Sequence, residues 1–304
     1  MDQQQQIAMV QQMRQHSSGN DQSLQPSLTY DVTVKEYMIP TSAGETRVLV
    51  YVPNRKKNEQ VVTWPVFFNM HGGGFVLGQA DGDDPWCRLI ADRAACLVVN
   101  IDYKLAPEHK FPTAVHECYD VVKWMHSNAD QFSANAAMFA IGGHSAGGNL
   151  ATSVCLLNRE RGDEFQILLQ IMDYAVLDLA TDPGEKPDFP EAIPAHVART
   201  FNAMYLTKPE DAANPFASPV LAESLSNLPE ALILTAERDS LAQEARTYAA
   251  KLEADGVKVT HKEYAGAIHG FTHHGDIEMA EDAWYLMSDK LRDVFSRAEV
   301  NKEQ

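Results

Sequence analysis

The pentapeptide Gly143-His144-Ser145-Ala146-Gly147 sets a serine between small residues, after the apolar run Met138–Gly142 and ahead of a helical stretch through Leu150–Asn158. A serine hydroxyl becomes a usable nucleophile when a tight strand-to-helix turn lifts it out of a sheet. Glycines flanking that turn avoid steric clash, and the helix that follows points its positive end at the reacting centre. A second pattern, His71-Gly72-Gly73-Gly74-Phe75, follows the apolar run Pro65–Met70. Consecutive glycines let backbone amides turn toward a developing oxyanion, and the amide of Ala146 beside the serine would complete such a hole. A phosphate-binding loop is the competing reading, but the chain has neither a GK[ST] ending nor a GxGxxG run here.

Serine requires a base, and the base requires an acid to orient it. The run Ala231–Ala236 leads into Glu237-Arg238-Asp239, and Val257–Tyr264 leads into Gly266-Ala267-Ile268-His269-Gly270-Phe271. Both lie just past the carboxyl end of an expected strand, where open α/β sheets carry their sites. Asp239 and His269 are therefore the acid and base expected from position. Glu237 and Asp178 compete for the acid, and His273 and His274 compete for the base. His109 and His116 read as structural or surface histidines.

These residues have to be held by a sheet. Strands are expected at Val34–Ile39 and Arg47–Val52 around a turn at Ser42, Ala43 and Gly44, and then at Pro65–Met70, Ala95–Asp102, Ala137–Gly142 and Phe165–Met172. Ala231–Ala236 and Val257–Tyr264 complete the set, while helical spacing marks Trp86–Arg93, Ala114–His126, Leu150–Asn158 and Ala242–Ala254. Strands alternating with helices of about a dozen residues imply a mostly parallel sheet with helices on both faces. Residues 181–217 break the rhythm with six prolines and one helical patch, Ala195–Tyr205. An insertion of that length reads as a lid or as a surface excursion. Residues 1–27 suit a short amphipathic helix with a flexible connection, or a disordered tail.

The chain resembles the bacterial esterases related to mammalian hormone-sensitive lipase, a subgroup of the α/β-hydrolases. Four segments carry the likeness: HGGGF at 71–75, DYKLAPEHKFP at 102–112, GHSAGGNLA at 143–151, and LILTAERDSL through AIHGF across 232–271. The order Ser145, Asp239, His269 is also the α/β-hydrolase order. The resemblance implies one α/β-hydrolase domain over 1–304, with a small, mainly helical cap formed by about 1–27 and 181–217. It implies Ser145 as nucleophile, Asp239 as acid, His269 as base, and an oxyanion hole at the amides of Gly73, Gly74 and Ala146. His71, Gly72, Phe75, His144, Phe201, Tyr205 and Phe271 are expected to bind the substrate. Three departures stand out: His144 where the family usually has Asp, Lys104 where Arg is common, and Ser240 where Pro usually follows the acid.

Composition narrows the partners. With 25 Lys+Arg against 42 Asp+Glu the formal net charge is −17, which repels nucleic acid and anionic membranes. The four cysteines show no CxxC pairing and no histidine at ligand spacing, so no metal is expected. The N-terminus lacks a signal-peptide pattern and no stretch approaches the ~18 apolar residues of a membrane span. A cytoplasmic serine carboxylesterase for short-chain esters is the expectation, needing no cofactor and compatible with a homodimer. An amidase or carbamate hydrolase with the same triad, and a non-catalytic small-molecule receptor, are the alternatives.

Overall fold

Apolar side chains alternate within the short runs, so each strand has two faces to bury. In β3 (Trp64–Met70), Val66, Phe68 and Met70 enter one core cluster while Phe67 enters another. In β4 (Leu97–Asp102), Leu97, Val99 and Ile101 join the first cluster and Val98 the second. A sheet buried on both faces needs helices on both. The computed structural model describes residues 3–17, 24–54 and 63–302 and shows that arrangement.

The sheet has eight strands in the order β1-β2-β4-β3-β5-β6-β7-β8. Here β1 is Val32–Thr41, β2 is Gly44–Pro53, β5 is Ala134–His144, β6 is Ile167–Asp173, β7 is Glu230–Arg238 and β8 is Val259–Ile268. β2 runs antiparallel to both β1 and β4, and the pairs from β4 through β8 are parallel. The helices are α1 (Gln3–Ser17), α2 (Asp84–Ala94), α3 (Thr113–Ser127), α4 (Ala146–Glu160), α5 (Ala195–Tyr205), α6 (Ala242–Ala254), α7 (Phe271–His274) and α8 (Ile277–Lys302). Buried residues of α3, α4 and α6 pack in the first cluster, and those of α2 and α8 in the second.

The expected elements appear, and α5 and α6 have the expected ends. Two boundaries differ where the site lies. The helix expected from Leu150 begins at Ala146, directly after the serine. The glycines at 147 and 148 do not delay it, because both are wholly buried and α4 forms against β3 and β6. Strand β8 runs on to Ile268, past the expected end at Tyr264, because its pairing with β7 resumes at Arg238↔Ile268 after a bulge. That extension carries the chain to His269. The N-terminal segment is helical over Gln3–Ser17, and its expected flexible connection falls partly on residues outside those described.

Candidate active site

Strand β5 and helix α4 meet at Ser145, which has φ 52° and ψ −117°. A positive φ at a non-glycine residue carries strain, and the surroundings hold it in place. The Ser145 amide donates to the Asp173 carbonyl at 2.9 Å, and its own carbonyl receives the amides of Asn149 and Val176. The flanking glycines are required by contact: a Cβ at Gly143 would lie 2.3 Å, and one at Gly147 1.8 Å, from the carbonyl oxygen of Met70. The strand end of β3 therefore presses directly on the turn.

Past β7 and β8 the chain delivers the two partners. His269 Nε2 lies 3.0 Å from Ser145 Oγ, and His269 Nδ1 lies 2.8 Å from Asp239 Oδ2. The other Asp239 oxygen accepts the amide of Leu241 at 3.1 Å, which fixes the carboxylate's orientation. Burial alone would lower the pKa of His269. The charge and hydrogen bond of Asp239 outweigh it and raise the imidazole above its ordinary 6.5.

The competitors are placed elsewhere. Glu237 accepts the amide of Gly266 at the surface, and Asp178 accepts the amides and hydroxyl of its own loop at Ala180 and Thr181. His273 turns away from the serine toward Asp83, with Nε2 3.3 Å from Oδ1. His109 is exposed and His116 lies half-buried beside Arg161.

Gly73 (φ 114°) and Gly74 (φ 60°) occupy the left-handed region, so the loop after β3 takes a path that side chains disfavour. A Cβ at Gly73 would stand 2.2 Å from the Leu77 carbonyl, and one at Gly74 2.4 Å from the Phe201 ring. Arg14 of α1 holds the far side of the loop, donating to the carbonyls of Val76 and Ala106 and pairing with Glu108.

A cavity of about 330 Å³ opens over Ser145 and His269. His71, Gly72, Phe75, His144 and Phe201 line it as the sequence led one to expect, and Ile193, Ala198 and Asn202 add a wall from the insertion. Two expected lining residues do not reach it. Tyr205 is buried behind Phe75, ring stacked on ring at 3.8 Å, because it sits one helical turn past Phe201 on the core side of α5. Phe271 packs between Tyr264 and Tyr174 in the second core, since the turn at Gly270 sends it inward. Among the described residues, none of α1 lines the cavity; Val10 is buried in the first core instead. A side recess of about 40 Å³ lies between Leu179, Pro183, Lys186 and Leu241 and shares Ile193, Ala198 and Asn202 with the cavity wall.

Sequence reading missed a polar cluster in the cavity lining, formed by Asp83, His144 and His273, whose ligating atoms lie within 4.8 Å of one another. The only signal for it was His144 itself, because Asp83 and His273 are remote in sequence. The trio has the composition of a metal site, but the donor chemistry does not fit one. The Gly72 amide donates to His144 Nε2 at 2.8 Å, so the proton of the neutral ring resides on Nδ1, the nitrogen facing Asp83. A cation there would have to displace that proton and leave an imidazolate. Burial, above all, and the nearby histidines hold His144 neutral, well below its ordinary pKa, against the pull of Asp83.

A family model described as the alpha/beta hydrolase fold matches residues 67–273, a span that contains Ser145, Asp239, His269 and the glycine loop. The chain belongs to the α/β-hydrolases. It is 30% identical to an arylesterase of Saccharolobus solfataricus over 270 residues, covering 88% of this chain and 84% of that one. It is also 30% identical to an ethyl acetate hydrolase of Pseudomonas putida over 263 residues, covering 85% and 82%. Among solved structures, a thermostable carboxylesterase cloned from a metagenomic library superposes with a TM-score of 0.82 at 30% identity, covering 97% of this chain and 98% of that one. The hormone-sensitive-lipase-like branch is thus the setting for this α/β-hydrolase, and no helix among its described residues is long and apolar enough to cross a membrane.

Proposed function

We propose that this α/β-hydrolase is a serine carboxylesterase for short-chain esters, working through Ser145, His269 and Asp239. The observation that carries the reading is the unbroken contact from Ser145 Oγ to His269 Nε2 and from His269 Nδ1 to Asp239. His269 takes the hydroxyl proton as Ser145 attacks the ester carbonyl. The oxyanion that forms is held by the amides of Gly73, Gly74 and Ala146, and His269 then protonates the leaving alcohol. Water enters, gives its proton to His269 as it attacks the acyl-serine carbonyl, and His269 returns that proton to Ser145 Oγ as the acid is released. Asp239 keeps the imidazole proton on Nδ1 throughout, so that Nε2 is free to act as base.

The substrate size follows from the cavity. Phe201, Ile193 and Ala198 form a cap wall, and the adjoining side recess offers only about 40 Å³. Each acyl CH₂ buried there is worth up to ~0.8 kcal/mol, about fourfold in kcat/KM, until the wall is met. A series of p-nitrophenyl esters from acetate to palmitate tests this. The expected optimum lies at about two to six carbons, and activity rising steadily into long-chain emulsions would refute it.

A further inference from the structure

We propose that His144 is a positioning residue that ties the glycine loop to the strand bearing the nucleophile, accepting the Gly72 amide so that the amides of Gly73 and Gly74 face the developing oxyanion. The inference rests on the esterase reading above. His144 immediately precedes Ser145 at the end of β5, and its Nε2 lies 2.8 Å from the Gly72 nitrogen. One side chain thus spans the two halves of the oxyanion machinery, the loop after β3 and the turn into α4. The fit is close: a Cβ at Gly72 would stand 2.6 Å from His144 Cδ2 and 2.8 Å from Nε2, so only glycine lets the ring approach.

The tautomer matters as much as the contact. A ring protonated on Nε2 would set an N–H against the Gly72 N–H, and a doubly protonated ring would do the same. Asp83 stands on the Nδ1 side, its Oδ2 3.7 Å away, and favours the proton there. Asp83 is itself held by the Asn69 amide at 2.7 Å and by His273 at 3.3 Å. The His273 ring is in turn fixed by the Tyr174 and Thr272 hydroxyls on its Nδ1. The arrangement parallels, for a backbone amide, the relation that Asp239 and His269 have to the serine hydroxyl, except that Asp83, at 3.7 Å, acts on the ring by its charge and not by a hydrogen bond. His71, His269, His273 and Asp83 are the titratable groups that face the ring; burial and the three histidines leave it neutral against the pull of Asp83.

The test compares His144→Leu with His144→Gln. Leucine removes the acceptor, whereas the glutamine Oε1 can take the place of Nε2. His144→Leu should lower kcat about tenfold or more, with KM changed less than about threefold, since the loss is in the transition state. Its affinity for a trifluoromethyl ketone, which forms a stable oxyanion on the serine, should fall by the same factor as kcat/KM. His144→Gln should recover most of that loss. Nitrogen NMR of the wild-type ring should show an Nδ1-protonated neutral imidazole. Equal activity in the leucine and glutamine variants, or a ring protonated on Nε2, would overturn the proposal, and the NMR result decides it even where a variant fails to fold. A wild-type enzyme without ester hydrolysis would instead count against the esterase reading.

Discussion

Ser145 and His269 act on one proton, so removing either should lose nearly all the chemistry. Ser145→Ala is expected to lower kcat by ~10⁴-fold or more with an unchanged thermal unfolding curve; a folded variant retaining a tenth of turnover would refute the assignment. The base must be neutral to work, and Asp239 raises its pKa above the ordinary 6.5. Activity should therefore rise with pH through a limb lying above that value. Asp239→Asn should move the limb to lower pH as well as cutting kcat by about 10⁴-fold, which a pH–rate profile of kcat/KM reads directly. At this scale the sequence was highly legible. The serine, the acid and the base each lie just past an apolar run; position favoured them while leaving Glu237, Asp178, His273 and His274 open, and the family resemblance pointed to the same three. Asp83 was not legible, because its partnership with His144 depends on β3 and β5 lying side by side.

Helices and loops decide how the site is held. Gly147 meets the Met70 carbonyl so closely that Gly147→Ala should push the turn off β3 and abolish soluble, active protein, as seen by expression and circular dichroism. Gly73→Val is expected to cost at least 10²–10³-fold in kcat, the size of a lost oxyanion donor. Its left-handed φ and the nearby Leu77 carbonyl add strain to that loss. Helix α1 braces the same loop through Arg14 without entering the cavity. Deleting residues 1–17 should consequently lower kcat and leave the acyl-length preference in place, measurable over the p-nitrophenyl ester series. The periodicity of α5 was plain in the sequence, whereas the burial of Tyr205 was not. Which side of a cap helix meets the core depends on the Phe75 ring, supplied from 130 residues earlier in the chain.

Across the whole molecule, the sheet buries charges as well as apolar groups. Burial lifts the Asp173 carboxyl from 3.8 to about 7, although the Thr272 hydroxyl and His273 pull it down. The folded protein then holds a proton that the unfolded chain has lost between those two values, so the group lowers stability as pH rises from 3.8 to about 7 and keeps that full penalty above. Asp173→Asn, which retains an acceptor for Thr272, should unfold at a higher temperature than wild type at pH 8, with the gap narrowing toward pH 5 in calorimetry. The doubly covered sheet itself was readable from alternating runs and helices. Its strand order was not, since crossovers leave no local mark.

That strand order has a consequence for how the enzyme fails. Ser145 sits at the end of β5, which has neighbours on both sides, but His269 follows β8, an edge strand of the described sheet that pairs with β7. Outer strands detach at a lower free energy than the middle of a sheet. Mild urea should therefore silence the enzyme before it melts, separating the base from a nucleophile whose surroundings are still intact. Ester turnover would then fade at a lower denaturant concentration than the aromatic circular dichroism signal, and return at once on dilution.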